Sequence, residues 1–525
     1  MDQPYLDTVI YDNFYEMLRG RYEDGGSKTA LRYFAGEETA EISYREMVRQ
    51  VACVYFFLKK RGLSGKHIGI LSENRYEYII LYLAAVFDCV VVPLDKELDT
   101  ETLGACAARF DVEILFCTEK TLKKAKAVLP EERLLNIDRL FSQIIVQQEP
   151  VEDFFRAVEH TDRHRFAVLA CTSGTDGRMK GVMLSQYNVI TNIRGTLENN
   201  VLKNPTLSFL PMNHTYGFHP CVLATLYNGT TLCLNLELKH LRRDLKAFDP
   251  YFFGAVPMVI EGIYDNILRE VKRQKKEKAF RRLIRISNIL YRCGIDLRHV
   301  FFGKLVNPSL RLVVNGGAAL NGELVERFRE LGIELLNGYG LTECSPTVAV
   351  SRVCNNVAGS AGTVMKHIEV KTAEDGEILV KGPCVMLGYY KDEAATQAVM
   401  RDGYLATGDT GYTDGKVLFV TGRKKNLIIL ENGKNVAPEY LEGKINRLPY
   451  IQDSLVVPAR TAGKNRILKA LVVLKEGMDG SSFAEDLKEL NSTLPLYMRL
   501  EDYEILPEDF QRNSSRKILR RQYTG

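Results

Sequence analysis

From about residue 30 to about residue 350 the chain repeats one pattern: a short apolar β-rich run, a loop carrying Gly or Pro, then a helical stretch. Candidate strands are Ile68–Leu71, Val90–Leu94, Phe166–Thr172, Leu207–Leu210, Phe252–Val256, Leu312–Val314 and Glu334–Leu336. Several run into the loops TSGTDG, LPMNH, AVP, NGGAA and NGYG. Strand, loop and helix in this order build an α/β fold of layers around mostly parallel strands, whose carboxyl ends carry the binding site. Loops far apart in sequence are therefore expected to lie side by side. A chain of 525 residues exceeds what one core organises, so two or more domains are expected.

Beyond about residue 360 the texture changes to short strands and turns, as in HIEVKTAEDGEILVKG and GKVLFVTG. After Gly422-Arg423 comes KKNLIILENGKNVAPEYLE, which reads as a strand pair around a turn near Asn432-Gly433. A helix then opens close to Pro438, where the missing N–H does no harm. Strands near Ser454–Val457 and Leu468–Leu474 complete a small α+β unit. The chain thus divides into a large N-terminal domain of layered α/β subdomains, residues 1–422, and a small C-terminal α+β domain, residues 423–525.

Seventy Lys and Arg against 66 Asp and Glu leave a net charge of +4, which gives no electrostatic case for nucleic acid as a partner. Charge is concentrated within 258–299, where ILREVKRQKKEKAFRRLIRISNILYR is helical in pattern and dense in Lys and Arg. This segment reads as a solvated helical face or, at most, a peripheral contact for anionic lipid or an acidic partner. The most apolar stretch, Tyr78–Leu94, is broken by Asp88 and stopped by Pro93, short of the ~20 residues a membrane span needs. The opening MDQPYLDTVIYDNFYEML lacks the positive start and apolar core of a signal peptide. Eleven cysteines, without a CxxC pair or zinc-ligand spacing to the eight histidines, are expected to be reduced in a cytoplasmic protein.

In Phe166–Gly181 an apolar strand enters a loop rich in Gly, Ser and Thr, with Lys180 near its end. A helix capped by Ser185 is expected to follow, with Val189, Ile193 and Leu197 on one face. Small residues let backbone N–H groups reach phosphate oxygens, hydroxyls add donors, and the lysine adds fixed charge. The G-x4-G-K-[ST] spacing of a Walker loop is absent. The residues alone admit a phosphate-binding loop or a flexible turn between strand and helix.

The segment CTSGTDGRMKGVMLSQYNV resembles the phosphate-loop signature of the adenylate-forming superfamily, which includes acyl-CoA synthetases, peptide-synthetase adenylation domains and beetle luciferases. Other segments resemble further motifs in the family's order: FLPMNHTYGF, VNGGAAL, NGYGLTECSP, YLATGDTGY, TGRKKNLIILENGKNVAPEYLE and RNSSRKILR. The resemblance covers essentially the whole chain. It implies ATP as nucleotide, held at its phosphates by Thr172, Ser173, Gly174, Thr175 and Gly177 with Lys180. Gly316, Gly317 and Ala318 would form the adenine-side loop. Asn337, Gly338, Tyr339 and Gly340 would bring the Tyr339 ring against adenine, since glycine lets the backbone come close.

By the same resemblance Thr342 contacts phosphate, while Glu343 and Thr175 hold Mg2+, a hard cation that takes oxygen ligands. Asp409 would accept from the ribose hydroxyls, with Arg423 also at the ribose. His214 would gate the passage between nucleotide and acyl sites. Lys425 falls at the hinge of a mobile C-terminal domain, and Gly433 and Lys434 would face the thiol donor. Lys517 takes the place of the catalytic lysine, between the reacting carboxylate and the α-phosphate. Two such anions ~4 Å apart repel by ~4 kcal/mol at an effective dielectric near 20, so cations are needed there. The chain departs from the family pattern at Cys171, Asp176, Met179 and Arg516. Asp176 beside a triphosphate is repulsive unless it points outward or meets Mg2+.

The implied reaction has two steps: a carboxylate attacks ATP to give acyl-AMP and pyrophosphate, then a thiol displaces AMP. The basic insertion and the GRKKNLIIL hinge most resemble long-chain fatty acyl-CoA synthetases, with a medium-chain or aryl acid left open. CoA is the implied thiol, and the phosphopantetheine of a separate acyl carrier protein is the alternative. Two rival classes remain. An amino-acid adenylation domain needs an aspartate near 213–219, where NHTYGFH has none. A catalytically silent nucleotide- or acyl-binding protein is opposed by the joint presence of Glu343, Asp409 and Lys517.

Overall fold

The computed structural model describes residues 4–147, 149–173, 179–317, 320, 322–430, 434–460, 466–512 and 518–523. Each candidate strand of the alternating region is present, with its ends moved by one to a few residues. Among the described residues the strands form two large sheets and two small ones. The seven-stranded sheet runs Gly388–Tyr389, Met179–Ser185, Phe166–Ser173, Val90–Pro93, His67–Leu71, Val112–Cys117, Leu134–Asn136. From Phe166–Ser173 onward its neighbours are parallel, as strands alternating with helices require.

The 14-stranded sheet has a parallel centre: Leu232–Leu234, Thr206–Ser208, Phe252–Ala255, Leu312–Asn315 and Glu334–Gly340. Past Glu334–Gly340 it turns antiparallel, through Thr347–Val350, Gly362–Val364, Val417–Arg423 and Tyr404–Thr413. The expectation of mostly parallel strands therefore holds at the two sheet centres and gives way to antiparallel pairs toward the edges. The change of direction falls on the strand that carries NGYG.

One local reading is corrected. No helix follows the glycine-rich loop directly, because Met179–Ser185 first returns as a strand, paired from Ser173↔Met179 to Phe166↔Ser185. Val182 and Leu184 bury their side chains completely, and Gly181 lies so close to Phe110 and Leu169 that a Cβ would meet either at 2.8 Å. Burial on both sides of this segment favours a strand over a turn. The helix Gln186–Asn199 comes next, closed by a reciprocal cap: Ser185 Oγ accepts from the Asn188 N–H, and Asn188 Oδ1 accepts from the Ser185 N–H.

This helix touches Met179–Ser185 of one sheet and Thr347–Val350 of the other. Residues 428–500 carry a separate core built on Ile428, Leu441, Val456, Val472, Phe483 and Leu494. There the helix Pro438–Ile445 covers the hairpin Ile451–Arg460 and Arg466–Leu474, with Asp502–Leu506 parallel to the latter. The basic segment forms the helices Pro257–Arg273 and Glu277–Arg292, followed by Arg298–Val306. Among the described residues no helix is long and apolar enough to cross a membrane. All eleven cysteines are free thiols.

Candidate active site

The antiparallel pair Tyr404–Thr413 and Val417–Arg423 sets Asp409 directly opposite Arg423. Arg423 Nε lies 2.8 Å from Asp409 Oδ1, and the Tyr339 hydroxyl donates to Asp409 Oδ2 at 2.8 Å. Adenine- and ribose-side candidates thus meet on one nearly buried carboxylate. Burial, then the negative charge of Asp409, pushes the Tyr339 phenol well above its ordinary range, so it stays a donor. Two hydrogen bonds occupy half of the roughly four acceptor positions of a carboxylate, which leaves Asp409 able to take a diol.

A second chain of contacts runs beside the hairpin that carries the glycine-rich loop. Gly388–Tyr389 pairs with Met183 and Val182, which brings the Tyr389 ring under Lys180 with Nζ 4.6 Å from the centroid. The Tyr389 hydroxyl donates to Glu343 Oε1 at 2.8 Å. Its phenol is raised by burial first and by the Glu343 charge next. Thr342 Oγ1 lies 3.4 Å from Thr215 Oγ1, joining the TEC turn to the HTYG segment. His214 beside it has Nε2 3.9 Å from Asp95 Oδ2, a carboxylate from the seven-stranded side of the molecule.

The TEC turn is held from behind by side chains that sequence motifs do not reveal. Asn192, buried on the Gln186 helix, donates to the carbonyls of Cys344 at 2.9 Å and Thr347 at 2.7 Å. Asn188 and Asn199 lie within about 40° of it on the helix and likewise donate to carbonyls, those of Pro383, Val385 and Val350. His219 is buried, with Nδ1 2.9 Å from Ser345 O. Desolvation lowers its pKa from 6.5 to about 4, so the ring is neutral. Alternating Asn on an amphipathic helix was the available signal, but its partners lie about 150 residues away.

The glycines serve close packing. A Cβ on Gly340 would fall 1.9 Å from Pro346 O, whereas one on Gly338 would make ordinary contact. Gly340 is therefore required by its own turn. Gly316 backs onto the Tyr216 ring, and Gly317 has φ +81°. Asn337 receives the Asn315 amide at 3.3 Å and donates to Ser360 O at 3.2 Å. Partial desolvation followed by the charges of Arg423 and Arg521 lowers the pKa of Lys425. Lys434 Nζ sits 4.2 Å over the Tyr497 ring. Gly174, Thr175, Asp176, Gly177, Ala318, Gly433, Arg516 and Lys517 lie outside the described residues, as does the side chain of Ser173. On either side of Lys517, Arg512 Nη2 pairs with Asp453 Oδ2 at 2.7 Å, and Arg520 pairs with both oxygens of Glu442 at 2.7 Å.

Residues 19–390 match the family model described as AMP-binding enzyme. The chain belongs to the AMP-binding enzyme family. Among curated relatives, the long-chain-fatty-acid–CoA ligase FadD15 of Mycobacterium bovis is 30% identical over 459 residues, 79% of this chain and 75% of the relative. Long-chain-fatty-acid–CoA ligase 6 of Rattus norvegicus is 27% identical, over 83% of this chain and 71% of its own. The solved o-succinylbenzoate coenzyme A synthetase of Bacillus subtilis, in complex with ATP and magnesium ion, shares the fold at TM-score 0.75. That match has 21% identity and spans 96% of this chain and 98% of that one. In this AMP-binding enzyme the donor set suits a magnesium nucleotide. Glu343 offers a half-exposed carboxylate whose second oxygen accepts no hydrogen bond from a described residue, next to the Thr342 hydroxyl.

Proposed function

We propose that this chain is an ATP-dependent acyl-CoA synthetase that activates a medium- or long-chain fatty acid as its acyl-adenylate and passes the acyl group to CoA. The observation that carries this is the pair of contact chains, Tyr339–Asp409–Arg423 and Lys180–Tyr389–Glu343, in a member of the AMP-binding family. The fatty acid is supported by the names of the curated relatives, both long-chain fatty acid ligases. A carboxylate oxygen bonds to the α-phosphorus of ATP while the α–β anhydride bond breaks and pyrophosphate leaves. The thiol sulfur then bonds to the acyl carbon, AMP departs with the former carboxylate oxygen, and the thiol proton passes to solvent.

In this reading Tyr339 faces adenine, Asp409 and Arg423 orient the ribose, and Lys180 neutralises departing phosphate. Bound Mg2+, held by Glu343 and Thr175, would screen the triphosphate. Lys517 draws the two reacting anions together, and His214 gates the passage between the nucleotide and acyl sites. The small domain begins near Arg423–Lys425 and turns about Lys425 between the two steps. The enzyme works in the cytoplasm. Segment 258–299 gives it a peripheral contact to an anionic surface, and an acyl carrier protein is the alternative thiol donor.

Pyrophosphate release on fatty acids of increasing length, followed by thioester formation with CoA or holo carrier protein, tests this. Acid-dependent pyrophosphate release with thioester on CoA is expected. Lys517→Ala should abolish the first step and leave thioester formation from supplied acyl-adenylate. Absence of acid-dependent pyrophosphate release would instead favour a silent binding protein.

A further inference from the structure

We infer that the outer face of the helix Glu277–Arg292 docks on the headgroups of an anionic lipid bilayer. This deepens the peripheral contact proposed above and rests on it. Residues 269–292 hold ten Lys and Arg against two Glu, a net +8 in a chain whose total is +4, so the remainder of the molecule is net negative. The helix has two faces. Its inner one sends Phe280 into a small core with Ile267, Val271 and Phe302, the Phe280 and Phe302 rings meeting edge-on at 5.6 Å. Asn288 fixes its far end by donating to Glu330 at 3.2 Å.

The opposite face is covered by no described residue. Lys278, Arg281, Arg282, Arg285, Ile289 and Arg292 are all exposed and fall within an arc of about 100° at the helical period. Ile289 is 62% exposed in the middle of that arc, and Ile286 borders it at 40%. None of the five cations forms an ion pair with a described residue. Nearby carboxylates do not blunt the face: Glu270 is taken by Arg273 at 2.7 Å, and Glu277 lies outside the arc.

Charge complementarity demands an anionic partner. An acidic protein would satisfy the cations but leave the isoleucines against polar surface. A bilayer serves both at once, with phosphate headgroups meeting the guanidinium groups and the acyl boundary receiving Ile286 and Ile289. The straight Lys and Arg stems can lie along the interface while their charged ends stay among the headgroups.

Co-sedimentation of the full chain with vesicles of phosphatidylglycerol mixed with phosphatidylcholine, and with pure phosphatidylcholine, tests this. Binding to the mixed vesicles alone is expected, weakening as salt rises. The triple change R281E/R282E/R285E should reduce it by on the order of a hundredfold, since each basic group near such a surface contributes about 1 kcal/mol. I289S should weaken it several-fold with the charges intact, which guards against misfolding of the triple variant. Equal binding to both vesicle types, or no binding to either, overturns the inference. It is also overturned if the triple variant keeps its vesicle affinity while losing capture by an acidic acyl carrier protein. Ligase activity on a short soluble acid, read in parallel, reports separately on the catalytic proposal, because none of these residues belongs to the site.

Discussion

Tyr389 stands between two charges of opposite sign, Lys180 over its ring and Glu343 at its hydroxyl. Tyr389→Phe keeps the ring and removes the donor, so the lysine stays in place while Glu343 loses its anchor. Acid-dependent ATP–pyrophosphate exchange should fall about tenfold, a cost of roughly 1.4 kcal/mol. The magnesium concentration for half-maximal rate should shift with it; an unchanged magnesium profile would remove Glu343 from the metal's shell. His219 makes a different prediction. Its folded pKa of about 4 lies below the ordinary 6.5, so the unfolded chain binds the proton first. Stability from this group is full above pH 6.5 and is lost as pH falls toward 4, by roughly 3 kcal/mol at most. Thermal melts across that window should show the loss, and His219→Gln should flatten it. Lys180, Tyr339 and Asp409 were legible because motif spacing names them. Tyr389 and His219 were not: their roles arise from strand pairing and burial between segments more than a hundred residues apart.

At the scale of elements, the Gln186–Asn199 helix holds the TEC turn with amides where an ordinary core helix would present leucines. Asn192→Ala strips the donor from two buried carbonyls, those of Cys344 and Thr347. A loss of about 1–3 kcal/mol in denaturant unfolding is expected. The affinity for ATP should drop as well, since the TEC turn loses its backing; unaltered nucleotide affinity would mean the turn is positioned from elsewhere. This helix, its Ser185 cap and its apolar face on Val189, Ile193 and Leu197, all buried, are legible in the sequence. The strand in front is not, because a seven-residue segment containing glycine and lysine shows weak alternation, and its place is set by Phe110 and Leu169 packed against Gly181.

At the scale of the molecule, the two-sheet body and the separate core of residues 428–500 follow from the change in texture along the chain. Their mutual placement does not, since it depends on ion pairs such as Lys424 with Asp375 and Glu377. Lys425→Pro fixes φ at the proposed pivot. Pyrophosphate exchange should persist while thioester formation from supplied acyl-adenylate slows at least tenfold; equal slowing of both steps would move the pivot elsewhere. One further point follows from the hairpin. The first turn of the Gln186 helix is capped reciprocally by Ser185 and Asn188, and a whole strand separates it from the glycine-rich loop. The dipole of this helix therefore does not open onto the glycine-rich loop, as it would in a Walker-type loop. In the proposed function, attraction for the polyanion then rests on side-chain cations and bound Mg2+, and nucleotide affinity is expected to fall with ionic strength and magnesium depletion more steeply than at a dipole-anchored site.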